Sequence, residues 1–194
     1  MLNNQPQPSH KAQLKNSTTH YGWLSRTIHW LSALAVIGLF VVGVWMVELD
    51  YYHEWYKTAP DLHRSFGVML MLLTLVRMSW YAVSAKPLAL AQHSRQEKVM
   101  AKVVHHAMLL VLFVMFVSGY LITTAQGDPL YVFNVLAIPA TLSGITNLED
   151  YAGEVHAIAG FSLIGLASVH ALGALKHHFY DKDDTLKRML GTNR

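Results

Sequence analysis

The chain has no cysteine among its 194 residues, which removes structural disulfides, thiolate catalysis, iron–sulfur clusters and thioether attachment of a prosthetic group through Cys-x-x-Cys-His. Charge is scarce as well. Asp, Glu, Lys and Arg make up 14% of the chain against 53% hydrophobic residues, and the mean hydropathy is +0.27, too apolar for an ordinary soluble domain. No internal repeat or low-complexity segment is evident. Lys and Arg are absent from the long connection between Ala125 and Glu154, and Pro, Asp and Glu are absent from the middles of the apolar runs.

Those runs are the main content of the chain. Thr27 to Val47, Leu62 to Val83, Val103 to Thr124 and Val155 to Leu175 each come near the roughly 20 residues that cross a bilayer core. The first follows a polar stretch and runs long for a signal-peptide core, so it reads as a retained helix. The fold class expected is therefore an all-α membrane protein, a four-transmembrane-helix bundle. Residues 1–20 read as a disordered tail, 21–180 as the membrane domain and 181–194 as an amphipathic tail, DKDDTLKRML beginning an Asp-capped turn suited to the inner leaflet.

Lys and Arg set the orientation. Lys11, Lys15 and Arg26 precede the first span; Arg77, Lys86, Arg95, Lys98 and Lys102 lie at or between the second and third; Lys176, Lys182, Lys187, Arg188 and Arg194 follow the fourth. Only Lys57 and Arg64 remain for the other side, so both termini are expected in the cytoplasm. The sequence pI of 9.1 is then explained by orientation and attraction to membrane lipid, without nucleic acid.

Histidines mark the chemistry. His156 and His170 lie 14 positions apart in the fourth span (170 − 156), a helical rise of about 21 Å that returns within about 40° of the same face. His29 enters the first span at the depth of His170, because antiparallel neighbours bring those ends level. His63 in the second span is likewise level with His156. His105 and His106 open the third span as a surplus on the cytoplasmic side. Four residues after His29, His63, His156 and His170 come Ala33, Gly67, Gly160 and Ala174, whereas Leu109 and Leu110 follow His105 and His106. A flat macrocycle bound through imidazole needs a small neighbour, which favours the first four as ligands.

Two trans-helix histidine pairs at different depths fit axial ligation of two low-spin haems. Arg64 on the outer side, and Arg26 or Lys176 on the inner, are placed for propionates. A His-lined metal or proton transporter is the competing class, and it usually shows broken helices or midplane acids. A purely structural anchor leaves histidines at matching depths without a reason. The run LYVFNVLAIPATL in the outer connection is expected to form a short helix near Tyr131 to Leu136 that covers the outer end.

The motifs TIHWLSA, WYKTAPDLHRSFG, VVHHAMLLVLFVMFVSGYL, VHAIAG, SVHALGALKHH and DKDDTLKRM, spread from Tyr21 to Leu190, resemble the bacterial cytochrome b561 family of the inner membrane. The resemblance implies two non-covalent b haems, His29 and His170 holding the cytoplasmic-side one and His63 and His156 the outer one. It further implies a quinone, ubiquinone, at the cytoplasmic end near His106 and His177, and gives His105 no role. Electrons would pass between that quinone and an outer-side donor or acceptor. Some family members resemble superoxide oxidases, for which Arg64 and Lys57 are the available outer cations.

Overall fold

The computed structural model describes residues 14–192. Of the tail expected over residues 1–20, residues 1–13 lie outside that range. Four long helices run up and down: α1 (Trp23–Met46), α2 (Thr58–Val83), α3 (Arg95–Thr124) and α4 (Leu148–Phe179). Two short strands, β1 (Leu130–Val132) and β2 (Leu136–Ile138), stand between α3 and α4, and α5 (Thr185–Leu190) follows. All four long helices have the length and apolar composition to cross a membrane. At 32 residues α4 is about 48 Å long, more than a hydrocarbon core of about 30 Å, so its ends reach past the lipid.

Each helix turns large apolar side chains outward. Leu34, Ile37, Val41 and Val44 are exposed along α1 and Leu72, Leu75 and Val76 along α2. Faces of this size would drive aggregation in water, whereas in lipid they are the solvated surface. Inside, the buried polar residues are small and satisfy themselves. Ser32, Thr74 and Thr124 each donate to the carbonyl four residues back, at 2.7, 2.8 and 2.9 Å. No water is needed to pair them in hydrocarbon.

α1 packs chiefly along α2, and α3 along α4, so the bundle is two helical hairpins set face to face. The helices run beyond the apolar spans read from sequence. α3 starts eight residues before Val103, because Ser94 and Glu97 form a reciprocal capping box in a polar segment. At the same end of the bundle, ahead of α1, residues 16–20 are held by hydrogen bonds: Asn16 Oδ1 accepts from Gly22 N at 2.8 Å and Ser25 Oγ at 2.7 Å, and Leu88 N donates to Thr18 O at 2.8 Å. α5 folds back on the same end, where Trp30 Nε1 donates to Met189 O at 3.1 Å and Arg188 Nη1 to Leu88 O at 2.8 Å. This end of the bundle, which carries the described chain termini, is called the terminal end below; the other is the distal end.

The short helix expected near Tyr131 to Leu136 is a β-hairpin instead. β1 and β2 pair antiparallel with Leu130 opposite Ile138, Tyr131 opposite Ala137 and Val132 opposite Leu136. Aromatic and β-branched residues suit a ladder, and Asn134 suits the turn. Phe133 and Asn134 adopt left-handed φ values of 49° and 57°, closed by Val135 N donating to Val132 O at 3.0 Å. A left-handed Phe is costly, and tertiary contacts hold it: Phe133 N donates to the buried Ser65 Oγ at 2.9 Å, and its ring meets Phe66 edge-on at 5.4 Å. Tyr120 OH secures the following segment, donating to Pro139 O and accepting from Thr141 N, both at 2.8 Å. The hairpin thus covers the distal end, two residues along α2 from His63.

Candidate functional site

Two layers of side chains, one toward each end, are assembled from all four long helices. In the distal layer, the His63 ring on α2 and the His156 ring on α4 have centres 6.3 Å apart and planes at 72°. In the terminal layer, His29 on α1 and His170 on α4 repeat the arrangement, with centres 6.3 Å apart at 69°. An imidazole nitrogen sits about 2 Å from a metal it ligates and about 1 Å from its own ring centre, so one metal between two imidazoles sets the centres roughly 6 Å apart. Both pairs fit that spacing, and both join one helical hairpin to the other.

The distal layer is closed by α1 and α3. Ser118 donates its hydroxyl to Val114 O at 2.7 Å, which leaves its oxygen to accept from His156 Nδ1 at 3.0 Å. In that arrangement the hydrogen bond to Ser118 leaves the Nε2 lone pair of His156 for a metal. A Cβ placed on Gly119 would stand 3.1 Å from His156 Cε1, and one on Gly43 would stand 3.2 Å from His63 Cε1. At both positions a methyl would press on the imidazole edge, so the ring would have to give by a few tenths of an ångström. Among the described residues, nothing beyond its own helix comes within 4 Å of a Cβ built on Gly67, so the helix face beside His63 has room for a flat ring. At Gly160 a Cβ would only touch Met115 and Phe40 at ordinary distances of 3.7 to 4.0 Å. His63 Nδ1 is buried without a hydrogen-bond partner among the described residues, as are the Nε atoms of Arg26 and Arg64.

The terminal layer adds two groups that the sequence reading did not assign. His105 on α3 meets the His170 ring at 4.9 Å between centres, and Arg77 Nη2 on α2 lies 3.4 Å from His29 Nδ1. His106 turns Nδ1 to Lys102 O on its own helix at 2.7 Å, and both it and His105 keep exposed surface. Arg64 pairs with Asp61 one turn earlier. Lys176 is tied to Glu97 at 2.6 Å and Asp181 at 2.9 Å.

In α4's last turn, His177 Nδ1 lies 2.7 Å from Asp181 Oδ2 and 3.4 Å from Asp183 Oδ2, while the His93 and His177 rings lie 4.4 Å apart, tilted by 32°. Burial alone would raise the Asp183 carboxyl, but hydrogen bonds from Thr185 N and His93 hold it down at about 2. The sequence assigns no site role to His93, Asp183, Arg77, Ser118, Gly43 or Gly119. Ser118 did carry a signal, a hydroxyl followed by glycine deep in an apolar span; the others become visible only when helices are brought together.

The family model described as prokaryotic cytochrome b561 matches residues 20–192. Among curated proteins, the chain is 46% identical over 176 residues to cytochrome b561 homolog 2 of Escherichia coli (strain K12), covering 91% of this chain and 94% of that protein. It is also 26% identical over 179 residues to the probable superoxide oxidase CybB of Yersinia pestis, covering 90% and 97% of the two chains. A match over nearly the whole described length, on four apolar helices with histidines paired across the bundle, makes this multi-pass membrane chain a member of the prokaryotic cytochrome b561 family.

Proposed function

We propose that the protein carries single electrons across the inner membrane between an outer-side donor or acceptor and the quinone pool on the cytoplasmic side, with both termini in the cytoplasm. The observation that carries this reading is the pair of equal His–His spacings, 6.3 Å in each layer, at the two ends of one helix. His63 and His156 would hold one b haem at the distal, outer end, and His29 and His170 a second at the terminal, inner end. Each haem would supply a one-electron carrier.

The chain's own groups tune that arrangement. Ser118 orients His156 and fixes its tautomer. Arg64 on the outer side and Arg77 on the inner are cations suited to propionate carboxylates. His106 and His177 serve a ubiquinone at the inner end, where a hydrogen bond from imidazole to a quinone oxygen supplies the proton that reduction requires. Asp181, 2.7 Å from His177 Nδ1, is placed to keep that ring oriented. The distribution of Lys and Arg supports the orientation, and the unbroken spans weigh against a transporter.

Oxidised and dithionite-reduced spectra of the detergent-purified protein test the reading. Sharp low-spin b-type bands and about two haems per chain are expected. One haem would break one of the two pairs, and none, with haem supplied during expression, would return the transporter to first place. The glycines give a finer check. Gly119→Ala forces the His156 ring to give by a few tenths of an ångström, and we expect its haem to be held about tenfold more weakly, read as haem content after extended washing. Unchanged retention would mean that the ring is not fixed by a ligand.

A second reading, superoxide:ubiquinone oxidoreductase, is favoured by the relative named a probable superoxide oxidase. The Arg64–Asp61 ion pair weighs against it, since it halves the small cationic charge available to draw an anion to the outer face. Quinone-dependent decay of superoxide by the purified protein distinguishes the two.

A further inference from the structure

The terminal end contains a cluster of which the electron-carrying reading uses only His177. His93 from the α2–α3 connection, His177 from the last turn of α4 and Asp183 from the α4–α5 link direct one nitrogen or oxygen each to a common point, all within 4.8 Å of one another. His93 Nε2 is 2.7 Å and His177 Nδ1 3.4 Å from the same oxygen, Asp183 Oδ2. The Asp183 side chain has no exposed surface, and the two imidazoles are 15% and 16% exposed.

Charge makes this cluster unusual. Buried carboxylates are ordinarily paired with a cation or a metal. Lys176 lies against Glu97 and Asp181, and no Lys or Arg forms an ion pair with Asp183 among the described residues. Its charge is faced instead by the two imidazoles and the Thr185 N–H at 2.7 Å. An ion pair within the cluster would require a protonated histidine; a divalent cation would supply the charge with both rings neutral.

We propose that His93, His177 and Asp183 form a binding site for a divalent transition metal, zinc being the ion best matched to two imidazoles and one carboxylate. Nitrogen and oxygen ligands about 2 Å from zinc in tetrahedral geometry stand roughly 3.3 Å apart, so the 3.4 Å separation already fits and the 2.7 Å one opens by about half an ångström. Water takes the fourth position. Asp181, released from His177 Nδ1, keeps Lys176 at 2.9 Å. The three ligands come from three segments that meet only at this end, so the metal fastens the α2–α3 connection and the α5 link to α4. The inference does not depend on the haem or quinone assignments.

The test uses the full chain, loaded with haem and washed with chelator, titrated with zinc in equilibrium dialysis. We expect one zinc per chain, bound with Kd below about 10 μM. His93→Ala and Asp183→Asn should each weaken binding at least tenfold, while His53→Ala, in the exposed distal loop, should leave it unchanged. Unaltered reduced haem bands in each variant verify that the protein is folded. Cobalt in place of zinc should give the intense visible absorption of a four-coordinate site, lost in His93→Ala. Absence of saturable binding to the unmodified protein, or equal binding by His93→Ala, would overturn the proposal and leave the cluster as a hydrogen-bonded fastening.

Discussion

His156→Leu is expected to leave the protein with one haem per chain instead of two. Leucine fills much of the imidazole volume but offers no lone pair, so His63 would face the distal site alone, 6.3 Å in ring separation from a side chain that can ligate nothing. The helices should survive the change. α4 is 32 residues long and held by lipid along much of its length, and Ser118 keeps its bond to Val114 O when the imidazole is gone. The readout is haem per chain together with helical content, the first falling by about half and the second unchanged. His63→Leu should match it, because the two rings act as one site. Retention of two haems in His156→Leu would sink the distal pair and require another ligand on that layer.

The specificity of that expectation depends on what was legible in the chain. Four apolar runs announced four spans, because hydrocarbon imposes a length and a composition that hydropathy reads directly. Depth paired His29 with His170 and His63 with His156, since short connections force antiparallel neighbours, and the rings do lie opposite one another in those pairs. Helix ends were less legible. Hydropathy stops at the lipid boundary, while α3 begins at Arg95 under the Ser94–Glu97 capping box, a signal present in the sequence and independent of apolarity. The distal hairpin was mistaken for a helix because a short apolar run fits either, and only the register and the Ser65 contact with Phe133 N select the strands. His105 illustrates the remaining difficulty. It and His106 are neighbours in sequence, about 100° apart around α3, and nothing local says which one faces the bundle. Helix rotation is set by packing, and it turns His105 to His170 and His106 toward Lys102 O.

That rotation gives the second large prediction a control within the same turn of helix. His106→Leu and His177→Leu are each expected to keep both haems and to slow quinone reduction about a hundredfold, the scale of losing a positioned proton donor. Neither ring belongs to a trans-helix histidine pair with the 6.3 Å spacing of the two layers: His106 bonds its own helix, and His177 lies with Asp181 and Asp183 beyond the terminal layer. His105→Leu should do the reverse. Its ring touches that of His170, so its loss should shift the reduced bands or the potential of the inner haem while changing quinone turnover far less. Single-turnover mixing of the reduced protein with a water-soluble ubiquinone analogue measures the first effect, and a redox titration followed at the haem bands measures the second. If His106→Leu lost a haem, the inner ligands would be wrongly assigned. If His105→Leu alone blocked quinone reduction, the quinone would be served by the ring that meets His170, and His106 would be only a surface residue at the membrane boundary.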